Sequence, residues 1–287
     1  MPSGRRVDAA RALELKLAHS PDSDDAFMFY GLATRKVRTG NCKIQHVLED
    51  IETLNQKAHQ ETYDITAISF HAYAYLADRY VLLPCGASFG DRYGPILVAR
   101  DRMTRAGLRG KRVAVPGKLT TAFLTLSLYE PEFEPVVTPF DQILARVASG
   151  ETDAGVVIHE GQLTYARQGL SKIVDLGEWW HQETGLPLPL GGNGIRRALD
   201  PQVIQQVTKI LKESIEYGLK HREEALDYAL HFGRGVDAHT ADQFVSMYVN
   251  DWTLDYGERG RQAVQTLLDR GFEKGLLPRH VQAEFAD

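Results

Sequence analysis

The sequence predicts an α/β protein of two lobes, with a central cleft and a helical C-terminal segment. Three observations point there. Strand-like and helix-like patterns alternate from residue 13 to about residue 195, as successive βα units do. The remaining third turns to mostly helical spacing. The 287 residues also exceed what one small hydrophobic core organises.

Taken in order, residues 13–17 alternate apolar and polar and read as a strand. Residues 20–25, Ser-Pro-Asp-Ser-Asp-Asp, are rich in N-cap types and lead into a helix over 26–32. Residues 42–48 and 63–69 are further strands, with a polar-faced helix over 51–61 between them and helical character over 70–76 after them. Strands at 81–83 and 95–99 flank the Gly-rich stretch 86–90. A second α/β unit follows: a strand at 111–116, a turn at 117–121, a helix over 122–129, a short strand at 136–137, and a helix over 140–148 stopped by Ser149-Gly150. Residues 154–158 form an apolar run that reads as an interior strand of a parallel sheet, and His159 and Glu160 end it. A short strand at 173–176 precedes Trp179-Trp180, and the Pro/Gly-rich stretch 186–195 has to be extended. Asp200-Pro201 then opens an amphipathic helix, followed by helices over 223–232, 240–248 and 259–274. The expected first lobe is 11–99 plus 196–287, with 100–195 inserted as the second lobe and crossings near 98–101 and 190–195.

Composition narrows the function. The chain is 43% hydrophobic and 25% charged with a net charge of −5, the profile of an ordinary soluble globular protein. It carries no basic stripe, so no nucleic-acid partner is expected. No run approaches the roughly 18 apolar residues of a membrane span, so no membrane partner is expected either. Cys42 and Cys85 lack metal-ligand spacing and read as two half-buried thiols of a reducing compartment. Residues 1–10 have no apolar stretch behind their two arginines, so a loosely ordered start and a cytoplasmic location are expected.

The chemistry gathers at strand ends, where open α/β sheets place ligands. Ser20 and Asp22 follow the first strand, and Ser69 follows the third. Thr120 and Thr121 open a helix, whose unpaired N–H groups and positive end suit a carboxylate. Each hydroxyl could equally do no more than cap its own helix. His159 titrates near neutrality in its unperturbed form and is a candidate general base, although a lone histidine is more often a paired structural residue. The tryptophan pair could stack on a ring or pack in the core. The acids of the first turn could bind a metal, but caps and solvated turns fit them better. His159-Glu160 is no zinc-protease motif, since residue 163 is Leu163. No Walker A loop, dinucleotide fingerprint or nucleophile elbow occurs.

Five stretches also carry a resemblance: 69–73 (Ser-Phe-His-Ala-Tyr), 115–122 (Val-Pro-Gly-Lys-Leu-Thr-Thr-Ala), 155–161 (Gly-Val-Val-Ile-His-Glu-Gly), 174–180 (Val-Asp-Leu-Gly-Glu-Trp-Trp) and 184–191 (Thr-Gly-Leu-Pro-Leu-Pro-Leu-Gly). In order and content they resemble the MqnD family, the 1,4-dihydroxy-6-naphthoate synthases of the futalosine route to menaquinone. The likeness runs from about residue 17 to residue 194. It implies a two-lobed, type II periplasmic-binding-protein-like fold. It also implies conversion of cyclic dehypoxanthinylfutalosine, a small carboxylate, by a carbon–carbon lyase that needs no cofactor and no metal. Residue by residue, it makes His159 the proton acceptor and places Thr120, Thr121 and Ser69 in the substrate pocket. The first turn departs from the family's Ser-Pro-Cys-Pro-Asn-Asp and is more acidic here, so Ser20 and Asp22 join the candidate substrate-binding set as a place where the substrate's polar end is read differently. The alternatives are chorismate dehydratase of the same route, which shares the fold, and a non-catalytic solute-binding protein for a small carboxylate.

Overall fold

The computed structural model describes residues 12–232 and 237–286, so the expectation for the first ten residues lies outside the described part. Two mixed sheets organise the chain. The first contains β1 (Leu13–His19), β2 (Cys42–Leu48), β3 (Ile65–Ser69), β4 (Tyr80–Leu82), β5 (Ser88–Gly90) and β11 (Leu188–Arg196), in the order β2-β1-β3-β11-β4 with β5 also on β11. The second contains β6 (Ile96–Ala99), β7 (Arg112–Val115), β8 (Glu134–Val137), β9 (Ala154–Val157) and β10 (Ser171–Asp175), in the order β10-β6-β9-β7-β8.

Helices α1 (Ser23–Met28), α2 (Tyr30–Ala33), α3 (Ile51–Ala58) and α4 (Phe70–Leu76) connect strands of the first sheet. Helices α5 (Thr121–Tyr129), α6 (Ile143–Ser149), α7 (Gly161–Thr164) and α8 (Leu176–Thr184) belong to the second half of the fold. The tail adds α9 (Pro201–Lys220), α10 (Arg222–Leu230), α11 (Ala238–Tyr248), α12 (Asp251–Leu254) and α13 (Gly257–Glu273). Local chemistry accounts for many of the boundaries. Asp200 accepts from Gln202 N at 2.8 Å with Pro201 behind it, which starts α9. Gly150, at φ 83°, adopts the left-handed conformation that ends α6.

Two expectations change. The chain passes between sheets after β5 and again between β10 and β11, earlier than the 99/100 and 195/196 edges read from sequence. All four residues of β6 are buried and find partners on β9 and β10, whereas the charged Arg100 and Asp101 are only its exposed end. β9 is interior and fully buried, but its sheet is mixed: it runs parallel to β7 and antiparallel to β6. β6 arrives from the other sheet and not through a βα unit, so a right-handed crossover does not dictate its direction.

The tail is core, not appendage. Val207, Ile210, Leu211 and Ile215 of α9 and Val245 of α11 share one buried cluster with Leu15, Leu17 and Ile65 of the first sheet. Each such side chain contributes about 1.5–3 kcal/mol of burial. α13 packs on α4, β11 and α5, and its Val264 and Leu267 share a second cluster with Ile68, Leu97, Val113 and Val156, residues of both sheets. Trp180 lies fully buried in that cluster with its indole N–H on Pro187 O at 3.1 Å, so the tryptophan pair is packing. Cys42 and Cys85 are free thiols, more deeply buried than expected. Among the described residues, no helix is long and apolar enough to cross a membrane.

Candidate active-site cleft

A cleft opens between the two sheets. Ser20, Asp22, Ser69, Thr120 and Thr121 all line it, so the structure brings five of the six sequence-named residues onto one cavity. The hydroxyls differ in what they still have to offer. Thr120 is the N-cap of α5: its Oγ1 accepts from Phe123 N at 3.2 Å and donates to Gly117 O at 2.8 Å. Ser69 is the N-cap of α4 by position but forms no side-chain cap bond. Its partner is Asn55 of α3, wholly buried, which donates Nδ2–H to Ser69 Oγ at 3.0 Å and accepts from Ser69 N at 2.9 Å. Thr121 Oγ1 accepts from His71 N at 3.2 Å.

The first turn supplies the acidic wall. Ser20 N donates to Asp25 Oδ2 at 2.7 Å, and Ser20 Oγ donates to Asp22 Oδ2 at 2.9 Å. Asp24 and Asp25 also line the cleft. Burial first, then the negative charges of Asp25, Asp22 and Glu160, hold the Asp24 carboxyl well above the usual carboxylate range. Burial likewise pushes Asp25 up to about 7, against the Ser20 N–H bond that favours its anion. Among the described residues, no group of three His, Cys, Asp or Glu side chains is arranged to hold a metal ion.

His159 stands apart from the other five. Ile158 lines the cleft, and the imidazole of the next residue does not. Its Nε2 lies 3.0 Å from Phe140 O, and its Nδ1 accepts from Gly161 N at 2.9 Å. A carbonyl only accepts and an amide N–H only donates, so this pairing selects the neutral tautomer with the proton on Nε2. As placed, both ring nitrogens are engaged, and service as a base requires the ring to turn from Phe140 toward the cavity.

Sequence reasoning missed three contributors. Asn55 is a polar residue on the buried side of α3, and that misplacement in an amphipathic pattern was the available signal. Phe244 and Tyr248 of α11 also line the cleft, and Tyr248 OH donates to Gln162 Oε1 at 2.8 Å. Their spacing, four residues apart, is the only trace they leave in sequence.

A sequence profile described as menaquinone biosynthesis matches residues 15–273, through the last residue of α13. The chain belongs to the menaquinone biosynthesis family. Within that family it is 43% identical over 262 residues to a 1,4-dihydroxy-6-naphthoate synthase of Thermus thermophilus, covering 91% of this chain and 95% of the relative. The crystal structure of protein AF1704 from Archaeoglobus fulgidus superposes with a TM-score of 0.89 at 48% identity, covering 92% of this chain and 98% of that one. The alkanesulfonate-binding protein SsuA of Xanthomonas axonopodis pv. citri matches with a TM-score of 0.71 at 16% identity, covering 96% of this chain and 98% of that one. That likeness establishes the periplasmic-binding-protein-like fold alone. The family match extends the resemblance beyond residue 194 and makes the helical tail part of the family's fold.

Proposed function

We propose that this chain is a 1,4-dihydroxy-6-naphthoate synthase, a carbon–carbon lyase acting on cyclic dehypoxanthinylfutalosine. The observation that carries the reading is the gathering of Ser69, Thr121 and the α5 N-terminus on one cavity wall, in a chain 43% identical to a named synthase. The wall suits the naphthoate carboxylate, and the acidic turn faces a sugar-derived, hydroxyl-bearing end.

In this mechanism His159 turns from Phe140 and takes a proton from a sugar-derived hydroxyl. The oxygen's electron pair closes to a carbonyl, the adjacent carbon–carbon bond breaks, and its electrons enter the ring system, which becomes aromatic as the small fragment leaves. The reaction is written with the chain's own groups and no cofactor, as the resemblance implies. Closure of the two lobes keeps water from the cleft. The named relative is a synthase, which favours this reading over chorismate dehydratase or a solute-binding protein.

The test is incubation of purified protein with cyclic dehypoxanthinylfutalosine, followed by mass spectrometry. Formation of 1,4-dihydroxy-6-naphthoate is expected. Unchanged substrate in the presence of folded protein would overturn the assignment.

A further inference from the structure

We infer that Asn55 is a positioning residue that turns the Ser69 hydroxyl into a hydrogen-bond donor toward the cleft, and that Thr121, rather than Thr120, keeps the second hydroxyl donor for it. The inference rests on the synthase reading for its ligand.

The hydrogen-bond directions follow from groups that can act in only one way. Ser69 N–H can only donate, so the Asn55 atom 2.9 Å from it is the amide oxygen. That sets the amide orientation and leaves the Asn55 NH₂ facing Ser69 Oγ at 3.0 Å. Ser69 Oγ must therefore accept from Asn55, and its own proton has to point elsewhere. α4 does not use the hydroxyl as a cap, and Ser69 lines the cavity. Asn55 is wholly buried and does not line the cavity, so it acts through Ser69.

Thr121 is set up in the same sense. His71 N–H can only donate, so Thr121 Oγ1 accepts it at 3.2 Å and keeps its O–H for the cleft. The His71 ring fastens the neighbouring peptide: burial pushes its pKa down to about 4, so the ring is neutral, and Nδ1 lies 3.2 Å from Thr120 O. Thr120 differs, because its O–H already donates to Gly117 O at 2.8 Å. The backbone N–H groups of Thr121 and Ala122, in the first turn of the nine-residue α5, have no carbonyl to reach within the helix. Two aimed O–H donors beside these N–H groups make an anion-accepting wall.

The test is calorimetric binding of 1,4-dihydroxy-6-naphthoate and of 1,4-dihydroxynaphthalene, the same rings without the carboxylate, under reducing conditions. Asn55→Asp keeps the shape but replaces the NH₂ with an acceptor, which draws in the Ser69 proton. The variant is expected to lose about tenfold or more in affinity for the naphthoate and almost none for the naphthalene. Ser69→Ala and Thr121→Val are expected to show the same selective loss, and Asn55→Asp is expected to add little in the Ser69→Ala background. A merely structural defect would weaken both ligands alike. Wild-type protein that binds both ligands equally, or an Asn55→Asp variant that keeps the wild-type ratio, would overturn the inference. Turnover of cyclic dehypoxanthinylfutalosine by the wild type tests the synthase reading separately, and the ligand ratio decides the subsite whichever way turnover falls.

Discussion

Ser23 Oγ donates to Glu160 Oε1 at 2.6 Å, with both side chains buried. The bond joins α1, which follows β1 of the first sheet, to the turn after β9 in the second. It therefore ties the two halves of the fold together next to His159. A charge-assisted bond of this length is among the stronger kinds, and its loss leaves a buried carboxylate without that donor. Ser23→Ala is expected to lower unfolding free energy by about 1–3 kcal/mol and to speed product release. Urea unfolding and stopped-flow release report the two effects, and unchanged values in both would show that the bond closes nothing.

His159 is held by Phe140 O and Gly161 N, which ties a structural clamp to the proposed base. His159→Ala is expected to lower kcat at least ~100-fold and to cost about 1–2 kcal/mol of stability from the two lost bonds. A folded variant that loses the stability but keeps near-full turnover would leave His159 only the clamp.

Asp24 gives the cleft a pH signature. A carboxyl whose folded pKa lies above its unfolded value contributes nothing unfavourable below the unfolded pKa and penalises the fold as pH rises toward the folded value. Asp24→Asn removes that penalty, so the variant's stability advantage should grow from near zero at pH 4 as the pH is raised to 8. His19 and His71, lowered by burial to about 3 and about 4, act the opposite way: they cost stability as pH falls below their unfolded value. They are common to both proteins and cancel in the difference. Urea titrations at three pH values check the trend, and a constant gap would contradict it.

Thr120 should separate from Thr121 in a stability assay. Its side chain caps α5, so Thr120→Ala is expected to cost about 1 kcal/mol while Thr120→Ser keeps most of the stability. Naphthoate affinity should change by less than about twofold in Thr120→Ser, since that hydroxyl's donor serves Gly117. Chemical denaturation and calorimetry on the two variants measure both quantities.

Tyr248 links the tail to the second half of the fold through Gln162. Tyr248→Phe strands the buried amide oxygen of Gln162 and is expected to cost about 1–2 kcal/mol, with a rise in KM because the lost bond no longer fixes the ring that lines the cleft. A variant with unchanged KM and stability would show that α11 merely covers the cavity.

Much of this was legible in the linear chain because it is local. β1, β3 and β9 end where apolar alternation meets polar residues, and Thr120 and Asp200 start helices through their own side chains. Ser20, Asp22, Ser69 and Thr121 could be named in advance because strand ends of α/β folds face a common cavity. The switch of β6 into the second sheet was not legible, since an isolated four-residue apolar strand carries no record of its partner. Asn55 could be noticed as a polar residue in an apolar pattern, but its bond to Ser69 spans 14 residues and exists only once α3 lies on β3.

The sequence by itself determined the order of elements, the two-lobed plan, the family and most of the cavity's polar residues, because periodicity, caps and motifs act over a few neighbouring residues. Only the tertiary structure decided which hydroxyls still hold a free proton, which way the His159 ring faces and that the tail completes the cleft. Those outcomes depend on hydrogen-bond partners and packed faces distant in the chain. A side chain's availability is what remains after such partners have been satisfied, and the neighbours of a residue in sequence do not specify them.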